Sequence, residues 1–119
     1  MATIKSYTDL NQSRKLEEIL PLETADYCWG IDDETLQYNN SPYPCAWKDY
    51  TCKEYYIPCW SLAALLSVLP HPSLHKTFSG WRCDSYDKEG KTCRLGENAD
   101  NPIDACYEMI LKLHERNLL

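Results

Sequence analysis

Three features of the sequence predict an α+β fold. Apolar residues recur at helical spacing near 9–20 and 102–116, a proline-bracketed apolar segment lies between them at 59–68, and strand-like alternation folds back on itself at 80–86 and 91–95. Together these give three helices (about 9–20, 59–68 and 102–116) packed with a small antiparallel sheet that includes the 80–86/91–95 hairpin. A length of 119 residues fits one globular domain, spanning 1–119, because a chain of this size rarely divides into two independent cores.

In chain order, the first helix is expected from Asp9 to Leu20. Thr8 would be its N-cap, Leu16, Ile19 and Leu20 its apolar stripe, and Pro21 its stop. The second, from Cys59 to Val68, lies between Pro58 and Pro70. Its residues are apolar in nearly every direction around the axis, which predicts a buried central helix. The third is the best marked. Asn101 can cap it, Pro102 suits its first position, and Asp104 favours the positive end of its dipole. Ile103, Cys106, Met109, Ile110 and Leu113 form the core face, while Asp104, Glu108, Lys112 and Glu115 form the solvent face.

The hairpin turns at Asp87-Lys88-Glu89-Gly90, which sets Asp84 opposite Arg94 and puts Trp81, Cys83, Cys93 and Leu95 on one face. The segment His71-Pro72-Ser73-Leu74-His75 is expected as a stiff loop. Residues 27–31, 35–38 and 51–57 are plausible strands, with loop composition from Asn39 to Pro44.

The formal net charge of −6 is unevenly spread. From Leu16 to Trp47 there is no Lys, Arg or His, but there are seven acids: Glu17, Glu18, Glu23, Asp26, Asp32, Asp33 and Glu34. Such a segment repels phosphates, and the chain has no basic stripe, so direct nucleic-acid binding is not expected. The longest apolar stretch, Ile57 to Leu69, is interrupted by Pro58, Ser61 and Ser67. It falls short of the roughly 20 residues a membrane span needs, so no membrane association is expected. The opening residues Met1 to Asp9 have no apolar core, which argues against a secretory signal.

Seven cysteines, at 28, 45, 52, 59, 83, 93 and 106, are an odd number and include no C-x2-C pair. They are expected as free thiols in a reducing cytoplasm, without a cofactor. Two alternatives carry chemistry. Cys45, Cys52 and Cys59 fall at an interval of seven and, with His71 and His75, supply enough thiolate and imidazole for a zinc site. Cys59 at the start of the second helix would have its thiol activated by the helix dipole, with His71, His75 or His114 as base. The cysteine–tryptophan pair at a helix start resembles papain-like proteases, but the glycine-rich lead-in is absent and Pro58 directly precedes the cysteine.

Two longer phrases carry a second resemblance. They are Pro58-Cys59-Trp60-Ser61-Leu62-Ala63-Ala64-Leu65-Leu66-Ser67-Val68-Leu69-Pro70 and Ala99-Asp100-Asn101-Pro102-Ile103-Asp104-Ala105-Cys106, the latter running on through Lys112-Leu113-His114-Glu115. With Tyr7-Thr8-Asp9-Leu10-Asn11-Gln12-Ser13 and Ile19-Leu20-Pro21-Leu22, the chain resembles a family of small uncharacterised proteins from gut Bacteroides and their phages. The resemblance implies a shared fold and a mobile-element origin, and carries no activity or site residue with it.

Nine Tyr and four Trp accompany a single Phe, so nearly every ring has a polar handle. Amphipathic rings concentrated beside loops suit recognition surfaces. The expected function is therefore a small non-catalytic intracellular interaction module that takes a basic protein partner. Its binding residues would be Asp32, Asp33, Glu34, Tyr43, Trp47, Tyr50, Tyr55 and Tyr56. The alternatives are a nucleic-acid-related accessory acting by acidic mimicry and a cysteine-dependent enzyme using Cys59.

Overall fold

A computed structural model describes residues 5–30, 35, 37–38, 41–45, 56–85 and 97–119. Among these residues there are three α-helices and two three-stranded antiparallel sheets, an α+β architecture. Contacts along the chain gather into two units, Tyr7–Ala64 and Met1–Ser6 with Leu65–Leu119.

The Tyr7–Ala64 unit opens with helix α1, Leu10–Glu17. Asp9, not Thr8, caps it: the Asp9 carboxylate accepts from Gln12 N at 2.8 Å, and Gln12 Oε1 accepts from Asp9 N at 3.1 Å. This reciprocal capping box satisfies two helix-start donors at once, which Thr8 cannot match because Asn11, three residues on, is not the Glu or Gln such a box needs. The helix ends before Ile19 and Leu20, although Leu20 is still buried. A short 3₁₀ turn, Leu22–Thr24, leads into strand β1, Tyr27–Gly30, which is flanked by β2, Tyr43–Pro44, and β3, Tyr56–Cys59. The register sets Cys28 opposite Tyr43 and Pro58, and Gly30 opposite Tyr56. Helix α1 packs on β3.

Cys59 and Trp60 therefore do not begin a helix. Tyr56–Cys59 is held in the sheet by β1, and helix α2 runs only over Leu62–Val68. Ser61 caps it, its hydroxyl accepting from Ala64 N at 3.2 Å, while Asp26 accepts from Ser61 N at 2.9 Å. Within α2, Ala64 and Leu65 are buried, but Ala63 and Ser67 are exposed. The helix expected to be buried all round thus presents one buried stripe.

In the other unit, β4, Ser73–Thr77, pairs with β5, Gly80–Asp84, which pairs with β6, Glu97–Ala99. The expected His71–His75 loop is thus a strand from Ser73 onward, joined to β5 by the two-residue turn Phe78-Ser79. Gly80 is required by β6: with φ at +157°, a Cβ there would run into the Ala99 carbonyl oxygen. The far side of the expected hairpin, with Thr92 and Arg94, lies outside the described residues, as does Tyr86. The described ladder sets Trp81 opposite Ala99, displaced by two residues from the register that would set Asp84 opposite Arg94. An offset of two keeps every side chain on its own face. Among the described residues, Asp84 pairs with Arg82 on its own strand, at 3.0 Å.

Helix α3, Pro102–Glu115, lies across β5 and β6. It matches its expectation closely. Asn101 Oδ1 accepts from Asp104 N at 2.9 Å, Pro102 takes the first turn, and Ile103, Cys106, Met109, Ile110 and Leu113 are fully buried. Lys5, assigned to this unit, pairs with Asp104 at 3.0 Å. Among the described residues, no helix is long and apolar enough to cross a membrane.

Candidate functional site

Among the described residues of the Tyr7–Ala64 unit, the most densely bonded polar group surrounds Cys59. Because Asp9 takes the cap, the side chain of Thr8 turns inward and is fully buried, as are Ser13 and Cys59. The Thr8 hydroxyl lies 2.8 Å from Ser13 Oγ, accepts from Trp60 N at 3.1 Å and donates to Cys59 Sγ at 3.6 Å. The Thr8 carbonyl accepts from Cys59 Sγ at 3.4 Å and from Trp29 Nε1 at 3.2 Å. A hydroxyl has one proton and two lone pairs. With Ser13 as donor to Thr8, every one of them is used, which is what burial of a polar group demands. Trp60, fully buried, directs its Nε1 to Thr24 Oγ1 at 3.0 Å.

These contacts decide what the Cys59 thiol can do. Removal from water pushes its pKa up to about 11, with the Asp26 carboxylate adding to the rise. The Thr8 and Ser13 hydroxyls pull it back only in part. A thiol activated by a helix dipole would move the other way. That premise fails because the residue ends a strand and α2 begins three residues later. His71, His75 and His114, the expected bases, are exposed and belong to the other unit.

Of the expected binding residues, Tyr43 and Tyr56 are described and are half-buried. Both alternate with the residues facing α1, so the register of β2-β1-β3 places them on one face of the sheet. There they flank Cys28 and Gly30 of the central strand from opposite edges. Asp32, Asp33, Glu34, Trp47, Tyr50 and Tyr55 lie outside the described residues. Asp26, at the head of the acidic stretch, is engaged by Ser61 at the start of α2.

Of the expected metal ligands, Cys45 is half-buried, Cys59 is fully buried, and His71 and His75 are exposed, while Cys52 lies outside the described residues. Among the described residues, no three His, Cys, Asp or Glu side chains come together as a metal site would require.

Two features escaped sequence reasoning. One is Thr8, whose buried role was signalled by the Asp9…Gln12 spacing that takes the cap away from it. The other is Phe78, the single Phe of the chain, fully exposed at the β4–β5 turn. A two-residue link between strands fixes it at the apex.

Charge also divides with the contacts. The Tyr7–Ala64 unit contains ten Asp and Glu against four Lys and Arg, and the other unit eight against eight. The whole net charge of −6 therefore belongs to one unit. Comparisons with known protein families, with curated proteins and with solved structures find no match for this chain.

Proposed function

We propose that the protein is a small non-catalytic interaction module that binds a basic protein partner in the cytoplasm through the acidic, Tyr- and Trp-rich stretch from Asp26 to Tyr56. On the resemblance of its helical phrases, it serves as an accessory of a phage or other mobile element. The observation that carries the reading is the segregation of charge: the unit with the clustered aromatic residues holds all the net negative charge, and the other unit is neutral. Complementary charge raises the rate and selectivity of encounter, and amphipathic rings supply the contact area that charge alone does not. Tyr43 and Tyr56 on one sheet face support the same stretch.

The test is a triple reversal, Asp32→Lys, Asp33→Lys and Glu34→Lys. A partner captured by the wild-type protein from its native host is purified and its affinity for both proteins measured. The variant is expected to bind at least about tenfold more weakly, a loss of about 1.4 kcal/mol. The loss should shrink as salt is raised. Equal affinity at low salt would leave the acidic stretch as solubilising surface.

A further inference from the structure

The proposed binding role uses the acidic unit and leaves a sheet edge of the neutral unit unexplained. In the order β4-β5-β6, strand β4 lies at an edge, and α3 packs on β5 and β6. Ser73, His75 and Lys76 of β4 are exposed, and Phe78 just beyond them is fully exposed. The two-residue turn makes Thr77 and Gly80 a hydrogen-bonded pair, so Ser73, His75 and Thr77 turn their backbone groups toward β5. The N–H and C=O of Leu74 and Lys76 therefore point outward, and among the described residues nothing pairs with them. Thr77 Oγ1, on the same strand, is buried without a hydrogen-bond partner.

We propose that β4 pairs antiparallel with β4 of a second copy of this chain about a two-fold axis, joining the two β4-β5-β6 sheets into one. Such an axis sets one residue against its own copy, and His75 is the position that fits. Leu74 then lies opposite Lys76 of the second copy, and Lys76 opposite its Leu74. Every one of these residues brings outward backbone groups, so each pair exchanges both of its hydrogen bonds. The charge on Lys76 meets an aliphatic side chain, which its stem can cover. A slide of two residues one way would set Lys76 against Lys76, a like-charge pair. The same slide the other way would put Pro72 in the ladder, where it has no N–H to give.

Further features agree with this register and with a second copy as the occupant. Thr77 falls opposite Ser73 of the second copy in a non-hydrogen-bonded pair, where side chains approach most closely. A turn of Thr77 about χ1 brings its unpartnered hydroxyl to that exposed serine, a cross-strand bond. Phe78 falls opposite half-buried Pro72, which gives the exposed ring an apolar contact. The unit holding β4 has eight Asp and Glu against eight Lys and Arg. Two copies therefore meet through it without the repulsion that contact through the acidic unit would bring. A contact between two strands of five residues is at the small end of specific interfaces. The dimer should accordingly form at about 10–100 μM protein.

The experiment is sedimentation velocity of the full chain from about 5 to about 500 μM, which should show a monomer–dimer equilibrium. Lys76→Pro removes an outward N–H and leaves the ladder with β5 intact, as an edge strand tolerates. It should weaken dimerisation at least about tenfold while melting close to the wild type. The register is read from mild oxidation of single variants, with the wild type as control for the native cysteines. His75→Cys meets its own copy across a non-hydrogen-bonded pair and should form a disulfide-linked dimer, whereas Lys76→Cys, equally exposed, should not. If Lys76→Pro does not fold, the cross-linking decides alone. A wild type that stays monomeric throughout leaves the edge to a strand of another protein and overturns the proposal. Cross-linking of Lys76→Cys in preference to His75→Cys overturns it as well.

Discussion

Both units bury a cysteine from a sheet beneath a helix, yet they satisfy it to different degrees. Cys59, on the edge strand β3 under α1, is surrounded by oxygen: the hydroxyl and carbonyl of Thr8, with Ser13 behind them. Cys83, on the central strand β5 under α3, has its Sγ 4.0 Å from the Asp84 carbonyl, too long for a good hydrogen bond. The oxygen surroundings complete a network that leaves Cys59 neutral and inert. A buried thiol is thus defined less by its depth than by the atom it touches.

The comparison is broken most sharply by pH. Cys59 has its pKa raised from an ordinary 9.0 to about 11, so the folded state holds its proton where the unfolded chain has released it. The stability this contributes is present in full below pH 9.0 and is lost as pH rises through about 11. Two pH units correspond to about 3 kcal/mol. Serine at this position does not titrate in that window. Urea unfolding at neutral and strongly alkaline pH should show the wild type falling by about 3 kcal/mol relative to Cys59→Ser. Shifts at Cys83 and Cys106 are common to both proteins and cancel in the difference. Parallel pH profiles would mean that Cys59 is solvated.

A smaller effect is expected from Thr8→Val, which keeps the shape and removes the hydroxyl. Trp60 N and Ser13 Oγ each lose a buried partner, and Cys59 Sγ loses a donor. Leaving such groups unsatisfied costs about 2 kcal/mol. Thermal melts of Thr8→Val and Thr8→Ser separate the hydroxyl from the methyl: Thr8→Ser should retain most of the stability that Thr8→Val loses. Equal losses would assign the role of Thr8 to packing.

How legible these features were in the sequence depended on how far away their causes lie. Helix α3 is written locally, in Asn101-Pro102 and in the periodic face from Ile103 to Leu113, and it forms as read. The start of α2 is not. Pro58 reads as a helix entrance, but Tyr56–Cys59 is recruited as a strand by Tyr27–Gly30, a pairing invisible to local pattern. The same holds for β4, where Pro70 and Pro72 suggest a loop and Gly80–Asp84 imposes a strand. Thr8 is an intermediate case, since the box Asp9…Gln12 was present in the sequence and outranks a lone threonine. The acidic stretch was legible as charge. The shared face of Tyr43 and Tyr56 was not, because it follows from two separate pairings with β1.

The smallest expected effect lies at the helix starts, where the two units use related chemistry with different backup. In α1, Asp9 accepts from Gln12 N and Gln12 returns a bond to Asp9 N, so Asp9→Ala removes only the first. In α3, Asn101 accepts from Asp104 N and also donates Nδ2 to Asp104 Oδ2 at 2.8 Å. Asn101→Ala removes both, while the ion pair of Asp104 with Lys5 stays in place, a half-exposed contact worth little by itself. Loss of an N-cap costs about 1 kcal/mol. Asn101→Ala should therefore reach or slightly exceed that figure in urea unfolding, and Asp9→Ala should fall below it. Asn101→Asp restores the acceptor but sets a second carboxylate against Asp104, so it should recover only part of the loss at neutral pH and more of it in acid. If Asn101→Asp matches the wild type at neutral pH, the Nδ2 bond to Asp104 contributes nothing, and the two helix starts are energetically alike.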